Sequence, residues 1–482
     1  MNAYAGLANP LALAVFAATL LLPIAVGLWT VRRTRSQSDF YVGGRSMGRF
    51  VVALSAVSSG RSSWLVLGLS GMAYTRGVGA VWAVVGYVLV ELFQFILIGR
   101  RLREQSAGSA VITILDWMEA RFADRRHVLR ITGAAIIAVF LTAYVAAQLN
   151  AGGKALSAAL GWSVWTGVAV SAVLILAYML LGGFVAVAFN DVVRAVIMLI
   201  GLVALPVFAI ARLGGERELL VQLQALDPAL LDPLALGFGA LVGFVGIGLG
   251  SPGQPHILVR YMSIDDPDRL RDSAVIGTIT NVVLAWGALH VGLVGRALIP
   301  SLDALPGRDP EMVYLVLTGE LFGPAMFGLL VGGVFAAILS TADSQLLVVG
   351  STIGRDLYEM VLRGGEAGGE REMLRLNRAV LVAAGAVAVV LAATAQDLVF
   401  WLVLFAWGGL GASIGSVVIL GLFWPRYERW GALASLVTGS AVTVVWRVWL
   451  KAPTGVYELI PAFGAALLAG ALTSLLCRRR GA

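Results

Sequence analysis

The sequence predicts an all-α polytopic membrane protein in which two groups of five helices form an inverted repeat. Hydrophobic residues make up 59% of its 482 residues and charged residues only 13%, whereas soluble domains are about 25% charged. Two of the hydrophobic segments are interrupted by small and polar residues at corresponding places in the two halves of the chain. In lipid an unpaired backbone N–H or C=O costs several kcal/mol, so such interruptions indicate a cavity or a bound ligand.

The first break, residues 58–63, reads Ser-Ser-Gly-Arg-Ser-Ser within an apolar segment at 51–74. The second break, residues 246–253, reads Gly-Ile-Gly-Leu-Gly-Ser-Pro-Gly within an apolar segment at 236–262. Paired discontinuous helices of this kind mark the central site of secondary transporters. Four intact spans separate the breaks and four follow the second, which predicts the five-plus-five arrangement. The alternative is a chance pairing of two glycine-rich kinks.

Thirteen windows are long and apolar enough to span a bilayer, for which about 20 residues are needed. They are 10–31, 49–75, 79–99, 130–150, 162–182, 185–211, 235–260, 273–299, 313–350, 377–396, 399–423, 430–450 and 457–477. The chain is then expected to contain an N-terminal helix and loop (1–48), the first repeat (49–212), an extracellular loop (213–234), the second repeat (235–423), and two C-terminal helices with a basic tail (424–482).

The basic residues are distributed as in a multi-pass membrane protein and not as in a nucleic-acid-binding one. The net charge of +7 comes mainly from arginines in alternate loops, which places the N-terminus outside and the C-terminus in the cytoplasm. Arg32 and Arg33 follow the first apolar run, so this run is expected to be a retained helix and not a signal peptide. We predict an inner (plasma) membrane protein whose partners are the lipid bilayer and a small solute. Nothing in the sequence indicates an oligomeric state.

An enzyme is not predicted. The single cysteine, Cys477, excludes an internal disulfide and a thiol metal site, and the three histidines are far apart in sequence. No nucleophile–base set or phosphate-binding loop is present in order. No cofactor is therefore expected beyond a coupling ion.

Four motifs resemble those of the sodium:solute symporter family, and of its sodium/proline symporter branch in particular. In chain order they are Asp39-Phe40-Tyr41-Val42-Gly43-Gly44-Arg45, Gly182-Gly183-Phe184 with Asn190-Asp191, Gly253-Gln254-Pro255-His256-Ile257-Leu258-Val259-Arg260-Tyr261-Met262, and Phe335-Ala336-Ala337-Ile338-Leu339-Ser340-Thr341-Ala342-Asp343-Ser344-Gln345-Leu346-Leu347. They span roughly residues 38–425 in the family's order. The resemblance implies a thirteen-helix fold of the leucine-transporter type and sodium-driven import of a small solute, amino acid-like or a carboxylate, by alternating access.

The resemblance also implies a sodium site. Ser340 and Thr341 would offer hydroxyl oxygens, and Ala337, one turn earlier, would offer a carbonyl. The family's partner ligands are backbone carbonyls at positions that match Ser58 and Arg61. The alternative role for the two hydroxyls is hydrogen bonding between helices, worth about 0.6–2 kcal/mol.

Gly60 and Arg61 depart from the family pattern, which has an acid and an apolar residue there. A membrane-buried arginine costs at least about 2.5–3.5 kcal/mol and needs a partner. Its guanidinium either replaces sodium, which would make transport proton-coupled or solute-gradient-driven, or pairs with Glu91 or Asp343 and leaves only its backbone at the ion site.

Further charged and polar residues complete the predicted site. Arg194 lies three residues after Asp191, so an intrahelical pair is expected. Glu91 is a candidate proton carrier or a partner of Arg61 or Arg194. Aromatic residues of the proline transporters are replaced by Ile247 and Ser251, which predicts a roomier pocket. The predicted solute-binding residues are Ser59, Gly60, Arg61, Ser62, Ser63, Trp64, Tyr144, Gln148, Ile247, Ser251 and Gln254.

A second hypothesis is a transporter-like sensor, since some members of the superfamily are fused to histidine kinases. The chain stops soon after its last apolar window, so a sensor of this kind would need a separate signalling partner.

Overall fold

The computed structural model describes residues 6–31, 41–107, 111–179, 184–366, 369–395 and 397–480, and the regular elements within them are helices. Asp39, Phe40, Gly182 and Gly183 of the family motifs lie outside the described residues. So do the loop arginines Arg32, Arg33 and Arg35.

The first half of the chain contains ten α-helices within the described residues. They are α1 (Pro10–Val31), α2 (Arg49–Ser63), α3 (Ser70–Arg76), α4 (Val81–Phe93), α5 (Arg100–Ser106), α6 (Ile114–Phe122), α7 (Val128–Leu160), α8 (Val164–Met179), α9 (Phe184–Leu213) and α10 (Glu216–Leu226). Wider π-helical turns, Trp64–Leu69 and Gln94–Gly99, join α2 to α3 and α4 to α5.

The second half continues the same pattern. Its helices in the described residues are α11 (Phe238–Gly246), α12 (Pro255–Ser263), α13 (Leu270–Leu298), α14 (Val313–Leu321), α15 (Pro324–Ser351), α16 (Glu370–Thr394), α17 (Val399–Leu410), α18 (Ser416–Phe423), α19 (Arg429–Val445), α20 (Lys451–Thr454) and α21 (Leu459–Arg480). Three further π-helical stretches, Thr352–Leu362, Gly411–Gly415 and Trp446–Leu450, continue α15, α17 and α19.

Ten helical stretches of the described chain are long and apolar enough to cross a membrane. One of them, Arg49–Ser106, is 58 residues long and contains two of the predicted spans. Two shorter apolar helices, Val164–Ala177 and Phe238–Gly253, coincide with two more windows. The all-helical polytopic class is therefore confirmed, while the count of thirteen spans and the division into inverted repeats stay predictions.

Both predicted breaks interrupt regular α-helix. In the first break the backbone turns at Ser62, which has φ +48° and ψ −170°. The second break is a 3₁₀-helix, Ile247–Gly253, after which Gln254 is extended and Pro255 begins α12. Proline suits this first helical position because it has no N–H to leave unpaired.

Glycine allows the second break to lie directly against α4. A Cβ on Gly86 would overlap the backbone of Val245, and a Cβ on Gly248 would overlap the backbone of Gly86. Small residues let helix backbones approach closely in membranes, where dispersion contacts replace the hydrophobic effect as the main attraction. This contact holds the second break beside the helix that carries Glu91.

An ion-pair cluster joins α6, α7 and the end of the α15 span. The Arg130 guanidinium contacts the carboxylates of Asp116 (2.8 Å), Glu119 (2.5 Å) and Asp356. Arg355 lies 2.9 Å from Asp116 as well. Burial raises the pKa of the Asp116 carboxyl, but the two guanidiniums outweigh it and hold that pKa below its ordinary value.

Replacing Arg130 by methionine should lower the melting temperature of the detergent-purified protein. The substitution leaves Asp116 and Asp356 to share Arg355 and removes the close guanidinium from Glu119. Removing one partner of a buried pair costs about 3–5 kcal/mol. Arg126→Met is the matched control, because Arg126 is exposed in the same loop region and should change stability by no more than about 0.5 kcal/mol. Equal melting temperatures for the two variants would contradict the role assigned to the cluster.

Candidate functional site

Hydroxyl and carbonyl oxygens from α2 and α15 converge at the first break. Ser340 Oγ donates to the carbonyl oxygens of Ala337 (3.0 Å) and Ser58 (3.2 Å). Thr341 Oγ1 donates to the carbonyl of Ser59 at 3.0 Å. Both hydroxyls are fully buried. Neutral oxygens arranged in this way replace the hydration shell of an alkali cation, so the donor set fits sodium, and four of the five predicted ligand residues are close to one another.

The Arg61 side chain points to α4 and α13. Its Nε donates to Asn281 Oδ1 at 2.6 Å, and its Nη2 donates to Glu91 Oε2 at 2.9 Å. The backbone carbonyl of Arg61 accepts a hydrogen bond from the Trp64 N–H. This geometry corresponds to the alternative in which Arg61 pairs with Glu91, and the contacts give no support to a guanidinium in place of sodium.

A second charged group lies beside the oxygen cluster. Arg260 Nη2 donates to Asp191 Oδ2 at 3.0 Å and also reaches the hydroxyls of Ser59 (2.8 Å) and Ser344 (2.5 Å). Ser55 Oγ donates to the same Asp191 oxygen at 2.6 Å. These contacts connect α2, α9, α12 and α15, so the two broken spans and two intact ones meet at one carboxylate.

The expected intrahelical pair of Asp191 and Arg194 is present, but each of the two residues has a closer partner on another helix. Arg194 Nη1 lies 3.9 Å from Asp191 Oδ1 but only 2.7 Å from Asp343 Oδ2. Asp191 instead takes Arg260 as its close cation. Spacing along one helix could not show that another helix brings a better-placed partner to each residue.

Ser63, a predicted solute-binding residue of the first break, contacts Gln148 of α7. The backbone N–H and the hydroxyl of Ser63 both donate to Gln148 Oε1, at 3.2 and 2.9 Å. Ser62 Oγ accepts from the Trp64 N–H at 3.1 Å. The remaining donors, Gln148 Nε2 and the indole Nε1 of Trp64, are buried and have no hydrogen-bond acceptor within the described chain. Oxygen atoms of a ligand or of ordered water would satisfy these donors.

Predicted residues of the second break contact α17 through Trp407. The Trp407 indole N–H donates to the Ile247 carbonyl at 2.8 Å, and a Cβ on Gly250 would overlap that indole. Gln254 Nε2 donates to the carbonyl of Trp407 at 3.1 Å, while the Ser251 carbonyl accepts from Gln94 at 3.2 Å. An aromatic side chain thus lies against this break, and the roomier pocket stays a prediction.

Aromatic rings connect the two breaks. The Trp64 ring stacks on Tyr87 and Phe400, with centroid distances of 6.4 and 5.5 Å. Trp407 lies 5.4 Å from Tyr87 and 6.5 Å from Tyr144. Trp64 and Tyr144, both predicted as pocket walls, therefore belong to one layer that also includes α4 and α17.

Two cavities lie on either side of this region. The larger, about 800 Å³, is here called the Trp401 vestibule, and Arg76, Phe244, Trp401 and Lys451 line it. Phe244 packs on Phe400 at 5.8 Å, so the aromatic layer separates the vestibule from the first break. The smaller cavity, only about 40 Å³, is lined by Arg260, Ser344, Thr113 and Asp356. A central site between two cavities is the geometry that alternating access requires.

Sequence reasoning missed Tyr87, Asn281 and Trp407, and it gave Arg260 no role. Arg260 stands in a quoted motif, so an intramembrane charge four residues after His256 was a usable signal. Tyr87 precedes Glu91 by four residues, which places both on one helix face. Nothing local distinguishes Asn281 or Trp407 from other residues of their spans.

Sequence comparison agrees with this geometry. The profile of the sodium:solute symporter family matches residues 40–439. The chain is similar to the high-affinity proline transporter PutP of Bacillus subtilis (strain 168), with 35% identity over 461 residues that cover 94% of this chain and 95% of the relative. It is also similar to the osmoregulated proline transporter OpuE of the same organism, with 32% identity over 459 residues, or 95% and 93% of the two chains.

Among solved structures, the chain is similar to a substrate-bound, outward-open Na⁺-coupled sialic acid symporter. The TM-score is 0.78 at 18% identity, over 97% of this chain and 98% of that one. At this identity the likeness shows the fold, which is of the leucine-transporter type. This protein is therefore a secondary active transporter that imports a small organic solute, not an enzyme, and it belongs to the sodium:solute symporter family.

Proposed function

We propose that this transporter couples the import of an amino acid-like carboxylate to sodium. The observation that carries the proposal is the oxygen cluster at the first break. In it the Ser340 hydroxyl lies within 3.2 Å of the carbonyls of Ser58 and Ala337, and the Thr341 hydroxyl lies 3.0 Å from the carbonyl of Ser59. Because Arg61 forms its ion pair with Glu91, its charge is already compensated. A cation at the oxygen cluster then faces neutral ligands and no unpaired guanidinium.

The solute carboxylate is assigned to the unpaired donors of the first break. Ser63 fixes the amide of Gln148 so that its NH₂ group is the end left without a partner. The Trp64 indole N–H is the second free donor of the same region. Two N–H donors suit a carboxylate, because hydrogen bonds to an ionised acceptor are about twice as strong as neutral ones. L-Proline, the solute of the named relatives, is the first candidate.

Orientation follows from the distribution of arginines. Loops on one side are rich in arginine, which supports an external N-terminus and a cytoplasmic C-terminus. With this orientation the Trp401 vestibule is the entrance from outside and the cavity beside Arg260 is the cytoplasmic exit. Alternating access then requires the aromatic layer of Phe244, Phe400 and Trp64 to close over the solute before the exit opens.

Uptake of L-proline by the wild-type protein should be faster in sodium buffer than in choline buffer. Ser340→Ala or Thr341→Ala should raise the sodium concentration that gives half-maximal uptake at least about tenfold. Each substitution removes a cation ligand, and a factor of ten corresponds to 1.4 kcal/mol. Ser416→Ala is the matched control, since Ser416 is equally buried and its hydroxyl donates within its own helix region. Uptake that is equally fast in choline would contradict sodium coupling.

Replacing Gln148 by leucine should raise the KM for L-proline about 10- to 100-fold. The change removes a donor to a charged group, worth about 1.5–3 kcal/mol. Trp64→Phe tests the second donor with the aromatic wall preserved. L-Prolinamide, which lacks the carboxylate, should inhibit L-proline uptake by the wild-type protein only weakly. Its inhibition of the Gln148→Leu and Trp64→Phe variants should be about the same as that of the wild type. Strong competition by the amide would overturn the assignment of these donors.

Cys477 allows the orientation to be tested with the natural cysteine, because it is the single cysteine of the sequence and is partly exposed. A membrane-impermeant maleimide should label inside-out vesicles but not intact cells. Asp232→Cys in a Cys477→Ser background is the control, since Asp232 is exposed in the opposite loop and should be labelled in intact cells. Reversed labelling of the two cysteines would place the C-terminus outside.

A further inference from the structure

The buried Arg61 contacts three residues that come from outside its own helix. Its guanidinium carbon lies 3.3 Å from the centroid of the Tyr87 ring, which is close enough for a cation–π contact. Glu91 and Asn281 accept its hydrogen bonds at 2.9 and 2.6 Å. The Asn281 amide also donates to Glu91. All four residues are buried, so solvent cannot replace any of these partners.

The Tyr87 ring is fixed on its other sides by the aromatic layer and by the first break. Its hydroxyl lies 3.4 Å from the carbonyl of Gly60, and a Cβ on Gly60 would lie only 2.5 Å from that hydroxyl. The next nearest atom to that Cβ would be Ile257 Cδ1 at 3.3 Å, at the flexible end of its side chain. Gly60 is therefore required by the position of the phenol and not by its backbone angles.

The geometry points to Arg61 as a positioning residue for solute recognition, which acts through Tyr87. Arg61, paired with Glu91 and Asn281, holds the Tyr87 ring over Gly60 and against Trp64 and Trp407. The phenol then occupies space that a side chain at residue 60 would fill. At this point the wall of the solute pocket is therefore supplied by α4 and not by the first break. This inference rests on the proposed function only in stating that this wall contacts the solute.

The charges decide what each partner contributes. Glu91 neutralises a guanidinium that would otherwise be unpaired in the membrane, and it lies four residues from Tyr87 on the same face of α4. A lysine at 61 would keep the charge but lose the planar contact with the ring and the Nε hydrogen bond. Arg61→Lys should therefore disturb solute recognition although the ion pair with Glu91 is retained.

A double-mutant cycle on Gly60 and Tyr87 tests the close contact without any solute. Gly60→Ala should lower the melting temperature of the purified protein, and Tyr87→Phe, which removes the clashing hydroxyl, should restore most of the loss. Gly86→Ala is the matched control, because its Cβ would overlap the Val245 backbone and Tyr87→Phe cannot relieve that overlap. Additive losses from Gly60→Ala and Tyr87→Phe would overturn the inferred contact.

Transport kinetics separate positioning from the ion site. Arg61→Lys and Glu91→Gln should raise the KM for L-proline by roughly tenfold or more, as a displaced pocket wall would, and leave half-activation by sodium within about twofold of wild type. Ser340→Ala should show the reverse pattern. If Glu91→Gln raised the sodium concentration for half-maximal uptake as much as Ser340→Ala does, Arg61 would take part in ion binding and the inference would be overturned. If the wild-type protein does not take up L-proline, the proposed solute fails, while the melting cycle still decides whether Tyr87 is held over Gly60.

Discussion

The structure depends on satisfying the backbone that the first break exposes inside the membrane. Lipid offers no hydrogen bonds, so each freed carbonyl needs a partner from another helix. The hydroxyls of Ser340 and Thr341 supply these partners to Ser58 and Ser59. The same oxygens, together with the carbonyl of Ala337, make up the proposed cation site. These oxygens can therefore either form hydrogen bonds with one another or coordinate a cation. A cation that binds there replaces the hydrogen bonds between α2 and α15, and the carbonyls keep a partner.

Buried charge is arranged around this cluster in neutral pairs. Each arginine of the central region faces its own carboxylate, the pairs being Arg61 with Glu91, Arg194 with Asp343, and Arg260 with Asp191. The first pair connects α2 to α4, and the hydrogen bond of Arg61 to Asn281 adds α13. The other two connect helices of both halves, and Arg260 additionally contacts two hydroxyls beside the proposed cation site. Movement of α12 relative to α9 and α15 must therefore break charged contacts, whereas movement of α2 together with α4 and α13 keeps the Arg61 pair intact.

The sequence could predict the fold class and the location of both breaks, because polar residues persist within an apolar membrane segment mainly where they line a cavity or bind a ligand. It could also name Glu91 as one candidate partner of Arg61, although it left open that the guanidinium replaces sodium. It could not predict Asn281, which lies 220 residues from Arg61 in the chain. The spacing of Tyr87 and Glu91 places both on one helix face, but an aromatic residue in an apolar span has the same sequence signature whether it faces lipid or a guanidinium. The turn at Ser62, two residues beyond the glycine of the break, follows from tertiary contacts and not from local propensity.

Charge neutrality of the site has a consequence for energy coupling. If the fixed charges cancel in pairs and the cation ligands are neutral, a sodium ion adds one uncompensated positive charge to the transporter. A zwitterionic solute such as an amino acid adds none, so the loaded protein carries that charge through its transition. The membrane potential then contributes about 2.3 kcal/mol per 100 mV for each charge moved, in addition to the sodium gradient. A solute that carried a net negative charge would cancel this term, so an amino acid is the solute class for which this arrangement of charges supplies the larger driving force.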